Sequence, residues 1–455
     1  MRAFLLLFWF ASVLVAAEPE VFWALWFDTE DYIAPEADDA ALRLAVELEK
    51  LDVRATFKIV GEKARVLEKR GRRDVIRALA RHDIGYHAEN HSIPPPPAMY
   101  LRLLGLEEGA AEFERREGQG VRDMQRIFGV TPSCYGQPGS SWGPQSNLAL
   151  RRLGIPVYMD EGSQVGLDNQ PFWFMGVLHV FRLGPYSIRA NLDEENQLED
   201  AKRRFRERVA ELKRRGGGVL HTYYHPTEFV ATEFWDAVNF PRGQYTPPEE
   251  YRPPRLRSRE SSERAYRIFF DFVRHAKSTG VRVVTGRDWP QLMEAPVRPL
   301  EASQAKRWLQ ESIGVRGAYS AADQLLAVLG ISPRLVDGPA QRVASSLRAS
   351  ALPRHLFERG KQDAAGYIER HGRLPSHVWF GAEYLSLADF TATVAGDEGG
   401  PEVRVRRGVL TFEQFIAADP RKAFSWAIHP ETFEAPELLE LGRLQAWTLK
   451  AARLK

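Results

Sequence analysis

The feature that most restricts the fold is the alternation of strand-like and helix-like segments between residues 21 and 285. Continuous apolar runs such as VFWALWF (21–27) and IPVYM (155–159) are typical of strands that are buried on both faces. Segments with apolar residues at helical spacing separate these runs. Alternation of this kind predicts a parallel sheet, and we expect a (β/α) barrel, with a doubly wound open sheet as the competing architecture.

The individual elements are predicted from the period of the apolar residues. The predicted strands cover 21–27, 54–60, a short strand leading to His87, 133–136, 155–159, 217–225 and 281–285, with a hairpin over 177–190. The predicted helices cover 39–51, 62–81, 107–128, 144–153, 194–215 and 259–279.

Polar side chains follow several of these strands. An acidic cluster ends the first strand, two histidines four residues apart (His87 and His91) follow the third, and His221 lies in the late strand GGVLHTYYH. The carboxyl ends of barrel strands meet at one mouth, and imidazole is the commonest metal ligand. The histidine pair therefore indicates half of a metal site, the alternative being two polar residues in an exposed turn. HAENH is not the HExxH metalloprotease motif, because its glutamate is central and prolines follow.

Length and composition set wider limits. A chain of 455 residues is expected to form two or three domains. Its 62 basic and 60 acidic residues leave a net charge of +2, which gives no reason to expect nucleic acid as a partner. Residues 1–17 resemble a secretory signal, the alternative being an uncleaved anchor, so we expect a secreted or periplasmic protein without a transmembrane span in its mature form. Cys134 is the only cysteine, which excludes an internal disulfide.

Six stretches occur in an order that resembles a known family. They are WFDTED, RATFKIVGEKA, DIGYHAENHS, GVTPSCYGQPGSSWGP, GGGVLHTYYH and GVRVVTGRDWPQL. Together they resemble the polysaccharide deacetylases with a NodB-homology domain, carbohydrate esterase family four, over about residues 20–293. The resemblance implies a distorted parallel (β/α) barrel of the NodB-homology type. It also implies metal-dependent removal of acetyl groups, chiefly N-acetyl, from an acetylated polysaccharide or cell-wall glycan.

The resemblance also implies roles for individual residues. These are Asp28 as general base, His221 as general acid, and His87 and His91 as metal ligands. The third ligand is Glu30 or Asp31, and Glu30 is preferred because alternate residues of a continuing strand face the same side. Two imidazoles and a carboxylate favour zinc as the divalent metal, although such a site could hold cobalt or nickel.

One departure from the family pattern concerns the general base. The third family motif normally supplies an arginine that orders the catalytic aspartate, and here Gly136 stands in that position. Loss of this charge should raise the pKa of Asp28 unless another cation substitutes. The alternative function is therefore a catalytically weak or inactive deacetylase-fold protein that binds carbohydrate or cell wall. Hydrolysis of a non-sugar amide is a third possibility.

Substrate contacts are expected from aromatic and polar residues near the barrel mouth. The candidates are Trp142, Asp160, His225 and Trp235. His225 could equally cap its strand, and Asp160 could lie in a solvated turn. The loop over 226–254, to which Trp235 belongs, is rich in aromatic residues that could stack on sugars or simply hold the loop to the barrel.

The domain organisation follows from a change of composition. We predict a barrel over 18–295, a proline-containing linker over 296–303 and a smaller, mainly helical accessory domain over 304–455. The segment 364–396 weakly resembles pseudomurein-binding repeats, which implies attachment to wall polymer, and a purely structural domain is the alternative. The tail over 436–455 is predicted to be helical with a basic end.

Overall fold

The computed structural model describes residues 18–455, so the predicted secretory signal at 1–17 lies outside the described residues. The strands are β1 Val21–Thr29, β2 Thr56–Ile59, β3 Asp83–Tyr86, β4 Cys134–Tyr135, β5 Val157–Asp160, β6 Phe172–Phe174, β7 Val177–Phe181, β8 Gly218–Tyr224, β9 Arg282–Val284, β10 Ala351–Pro353, β11 His377–Phe380, β12 Glu383–Ser386, β13 Glu402–Arg404 and β14 Lys450–Ala451. The helices are α1 Pro35–Lys50, α2 Gly61–Lys69, α3 Arg73–Leu79, α4 Pro97–Leu101, α5 Leu106–Phe128, α6 Gln145–Leu153, α7 Leu198–Arg214, α8 Trp235–Asn239, α9 Arg259–Ser278, α10 Trp289–Leu292, α11 Ala302–Glu311, α12 Ala321–Val328, α13 Arg354–His371, α14 Leu387–Ala395, α15 Pro420–Ala423 and α16 Pro436–Gln445.

The main sheet of the described chain has ten strands in the order β14-β6-β7-β5-β4-β3-β2-β1-β8, with β9 paired to β1. All pairs from β7 through β5, β4, β3, β2 and β1 to β8 are parallel, and so is the pair of β1 with β9. Helices α1 to α7 and α9 connect these strands, so the predicted barrel-like β/α fold is confirmed. The carboxyl ends of the parallel strands consequently lie at one edge.

Strand β1 is the centre of this arrangement. All nine of its residues are buried, which explains the continuous apolar sequence of a strand covered on both faces. One of its edges pairs with β8, and its other edge pairs with β9 in its first half and with β2 in its second. Residues at the end of β1 are therefore held from both sides.

Two predicted elements were wrong in detail. The helix predicted over 62–81 is divided into α2 and α3, and Gly71 between them has a φ of 69°, which favours glycine and ends a helix. The hairpin predicted over 177–190 instead consists of β6 and β7, whose turn residues Met175 and Gly176 have φ of 52° and 75°. Two successive positive φ angles are typical of a tight hairpin turn.

The C-terminal part packs directly on the barrel. Strand β14 pairs antiparallel with β6, so the tail that was predicted to be helical throughout ends as a strand of the main sheet. One hydrophobic core contains residues from both parts, including Trp142 of the barrel and Leu439 of α16. The segment 364–396 contains the end of α13, the hairpin of β11 and β12, and α14. No helix within residues 18–455 is long and apolar enough to cross a membrane.

Candidate metal centre and catalytic pocket

Residues at the carboxyl ends of β1, β3, β4, β5 and β8 line one pocket of about 290 Å³. Its floor includes Asp28 and Glu30 from the end of β1, His87 and His91 from the loop after β3, and Asp160 from β5. The parallel topology brings these residues together, because each of them lies at or just after the carboxyl end of a strand, at the same edge of the sheet.

Three of these side chains could hold a cation. One ligand atom each of Glu30, His87 and His91 lies within 4.8 Å of the others, and all three residues are buried. Glu30 Oε2 is 2.8 Å from His91 Nε2 and 3.3 Å from His87 Nε2. Two imidazoles and a carboxylate directed at one point, next to a pocket that water can enter, form a donor set that could hold a divalent metal ion.

The remaining polar atoms of this cluster also have partners. His87 Nδ1 is 3.1 Å from the Gly136 carbonyl oxygen, and His91 Nδ1 is 2.5 Å from Ser92 Oγ. Trp235 Nε1 donates to Glu30 Oε1 over 3.0 Å. Outer partners of this kind fix ring orientation and leave both Nε2 atoms directed toward Glu30, the third possible ligand.

The loop that holds the two histidines is not helical. Ala88 and His91 have φ of 65° and 56°, so the imidazoles converge through left-handed turn residues and not through one helical turn. The structure also separates the two candidates for the third ligand. Asp31 points away from the cluster, where its Oδ1 accepts hydrogen bonds from the amides of Ile33 and Ala34 and its Oδ2 one from Thr227.

Asp28 has a buried cationic partner that the sequence interpretation missed. Lys58, in the middle of β2, is fully buried, and its Nζ lies 2.8 Å from Asp28 Oδ1 and 3.4 Å from Asp160 Oδ2. Burial by itself raises the pKa of Asp28, but its neighbours, above all the positive charge of Lys58, outweigh it and lower that pKa below its usual value. Asp28 is therefore ionised.

Lys58 also explains why position 136 is a glycine. A Cβ at Gly136 would overlap Lys58 Nζ, so the space beside the base is filled from β2 instead of from the third motif. A cation is thus present beside Asp28 although position 136 has no side chain, and it comes from β2. A lysine inside a buried strand was the available signal, because a buried charge requires a partner.

His225 lies near the other carboxylate oxygen of Asp28, the one that Lys58 does not contact. Its Nε2 lies 3.7 Å from Asp28 Oδ2, and its Nδ1 is 2.7 Å from Glu228 Oε1. Glu228 in turn accepts a hydrogen bond from Arg189. Burial lowers the pKa of His225, but the charges of Glu30, Glu228 and Asp28 together raise it to about 9, so the ring is protonated at neutral pH.

His221, the predicted acid, is on the same face of β8 but deeper. The register pairs Ala24 with His221 and Phe27 with Tyr224. His225 therefore follows level with Asp28, whereas the backbone of His221 lies four residues earlier, roughly 13 Å back along the strand. Its ring stacks on Trp26 at 4.5 Å between centroids and is fully buried. Neither ring nitrogen has a hydrogen-bond partner among the described residues, and Glu161 Oε1 lies 3.3 Å from Nε2.

The four predicted substrate contacts have different positions. Asp160 and His225 line the pocket. Trp235 is fully buried and supports Glu30 instead of facing the opening, and Trp142 is fully buried against Gly442 in the shared core. These two tryptophans are therefore structural in this arrangement, whereas Trp426 from the C-terminal part lines the pocket and was not predicted.

Comparisons with known proteins place these observations beside solved structures. No family model matches the chain, and no curated protein matches it. A Mycobacterium smegmatis protein described as a polysaccharide deacetylase is 16% identical, with a TM-score of 0.38, over 60% of this chain and 90% of that chain. The peptidoglycan deacetylase PdaC from Bacillus subtilis is 14% identical, with a TM-score of 0.29, over 61% of this chain and 93% of that chain.

A third structure is a pseudoenzyme of carbohydrate esterase family four from Bacillus anthracis. It is 12% identical, with a TM-score of 0.30, over 59% of this chain and 64% of that chain. At these identities and TM-scores, the activity of this chain has to be inferred from its own residues.

Proposed function

We propose that this chain is a metal-dependent deacetylase that hydrolyses acetyl groups, chiefly N-acetyl, from a polysaccharide outside the cytoplasm. The observation that supports this most strongly is the arrangement of one pocket. A Glu–His–His donor set lies beside an ionised carboxylate, Asp28, and a protonated imidazole, His225. Hydrolysis of an amide needs an electrophile that polarises the carbonyl, a base for the attacking water and an acid for the leaving amine, all within reach of the same bond.

Each residue has a defined task in this proposal. Glu30, His87 and His91 would hold a divalent cation, with zinc favoured, and when bound it would polarise the acetyl carbonyl and make water more acidic. Asp28 accepts the proton of the attacking water. His225 donates its proton to the departing amine as the carbon–nitrogen bond breaks, so that acetate and a free amine leave. Glu228 holds His225 in position through Nδ1.

Lys58 weakens the case for the alternative function, an inactive protein that only binds carbohydrate or cell wall. That alternative arose because Gly136 replaces the family arginine, and the ion pair of Lys58 with Asp28 supplies a cation in the same place. The saccharide, as opposed to another amide, is proposed from the motif resemblance. Export and attachment to wall polymer by residues 304–455 remain proposals that rest on the sequence.

The test is acetate release by the full chain from N-acetylated oligosaccharides, with bound metal quantified in the same preparation. We expect acetate release that a chelator abolishes and added zinc restores. His87→Ala with His91→Ala should lose the metal, whereas Asp28→Asn should keep it and lose turnover. Stoichiometric metal with no acetate from any substrate would favour the binding protein instead.

A further inference from the structure

Part of the pocket wall comes from outside the barrel. Lys422, Ser425 and Trp426, in and just after α15, line the same pocket as Asp28 and Glu30. The C-terminal part therefore contributes side chains to the space in which the proposed reaction takes place. An accessory domain that served only for attachment would have no need to approach this opening.

This wall is fixed to barrel loops by hydrogen bonds. Those bonds are Ala417 N to Gln164 O at 2.9 Å, Gln164 Nε2 to Ala423 O at 2.5 Å, Trp426 N to Ser140 Oγ at 3.0 Å and Arg242 N to Ala427 O at 2.7 Å. They reach the loops after β4, β5 and β8. A wall held in this way is preorganised, so a ligand would not have to order it on binding.

Trp426 has an unusual environment for a large aromatic residue. Its Nε1 donates to Asp236 Oδ2 over 3.2 Å, and its ring meets Phe234 edge-on at 6.1 Å. Trp426 nevertheless remains 41% exposed at a polar pocket. Gly139 makes room for it, because a Cβ there would overlap the indole ring.

The same contacts connect Trp426 to the metal cluster. Asp236 Oδ2 also accepts from Ser92 Oγ over 3.3 Å, and Ser92 Oγ is 2.5 Å from His91 Nδ1. The indole is thus held at a defined position relative to the proposed ligand His91. An oriented aromatic face in the same pocket as the proposed metal ligands suits a flat, partly apolar group next to the group that reacts.

We propose that Trp426 is a specificity-determining residue that stacks on a sugar ring adjacent to the one that loses its acetyl group. This inference rests on the proposed function and extends it, because it requires a glycan chain of two or more sugars as the substrate. The C–H face of a pyranose ring covers the exposed indole, and hydroxyl groups at the ring edge can reach polar groups of the same wall, such as Ser425.

The test compares Trp426→Ala and Trp426→Phe with the unmodified full chain. Substrates are N-acetylated oligosaccharides of increasing length, the N-acetylated monosaccharide and a small acetylated amide without sugar. For Trp426→Ala we expect KM to rise about five- to tenfold for chains of two or more sugars, with kcat retained and the two smallest substrates unaffected. Trp426→Phe should keep most of the affinity. Leu103→Ala is the control, since Leu103 is 73% exposed, lies outside residues 304–455 and does not line the pocket.

An equal change in KM on the sugar-free amide, or no change on the longest oligosaccharide, would overturn the proposal. Failure of the proposed function is recognised separately, as absence of acetate release by the unmodified chain. In that case calorimetric binding of the longest oligosaccharide decides: at least fivefold weaker binding by Trp426→Ala than by Leu103→Ala supports the stacking surface. Equal binding, or no binding by the unmodified chain, refutes it.

Discussion

Replacement of Lys58 by methionine tests the cation that stands beside the proposed base. The substitution keeps the apolar stem in β2 and removes the charge 2.8 Å from Asp28 Oδ1. Coulomb attraction at that distance is about 6 kcal/mol with an effective dielectric constant of about 20. Removing one partner of a buried pair typically costs about 3–5 kcal/mol, because the other charge stays buried without compensation. We expect a loss of this size in the free energy of unfolding at pH 7, measured by urea denaturation.

The same substitution should change the pH dependence of hydrolysis. Burial is the largest influence on Asp28 and raises its pKa, and Lys58 is the strongest of the charges that oppose it. Without Lys58 the pKa of Asp28 should rise, and the acid limb of kcat/KM should therefore move to higher pH.

Lys63 provides the matched control. It is equally buried, but it pairs with Asp38 and donates to the Asp31 carbonyl oxygen, and none of these residues lines the pocket, so Lys63→Met should lose stability without moving the acid limb. The double variant Lys58→Ala with Gly136→Arg offers a cation from position 136 and frees the space it needs, and it should recover part of the original pH profile. An unchanged acid limb in Lys58→Met would refute the role assigned to Lys58.

Three further predictions concern other residues. His225→Gln should keep metal and lower kcat by about 10²–10⁴-fold, whereas His221→Gln should lower the melting temperature and largely spare kcat; the reverse would return the acid role to His221. Burial raises the pKa of Glu117 to about 7, so the folded state favours its protonated form, and the associated stability is complete below about pH 4.5 and lost as pH rises through 7. Glu117→Gln should therefore gain about 2–3 kcal/mol relative to the unmodified chain between pH 5 and pH 8, and parallel denaturation curves would contradict this. Glu30→Ala should lower zinc affinity at least tenfold and Asp31→Ala should not, as measured by equilibrium dialysis.

His221 in β8 and His225 directly after it show what depends on strand register. A period of two places both His221 and His225 on the inner face, so the sequence predicts the correct face of the strand. Which of them is level with Asp28 depends on the register between β1 and β8, whose residues are almost two hundred positions apart in the chain. The spacing of HPTE, in which Glu228 follows His225 by three residues, was the local signal for a supported histidine.

For the acidic residues at the end of β1, by contrast, local spacing alone indicated the arrangement that the structure shows. Alternation along an extended chain favoured Glu30 over Asp31, and the structure places Glu30 between the two imidazoles. The sequence did not show that Trp142 and Trp235 are buried. Exposure of an aromatic residue depends on what packs over it, and here α16 and the β8–α9 loop bury these rings.

The sequence by itself determined the β/α architecture, the edge at which the polar residues gather and the histidine pair, because strand ends and short-range spacing are local properties of the chain. Only the tertiary structure decided that Lys58 replaces the missing arginine beside Asp28, that His225 faces this base, and that Trp426 closes the pocket from the C-terminal part. Each of these depends on distances between segments that are remote in sequence. Such distances follow from strand register and packing, which no local pattern encodes.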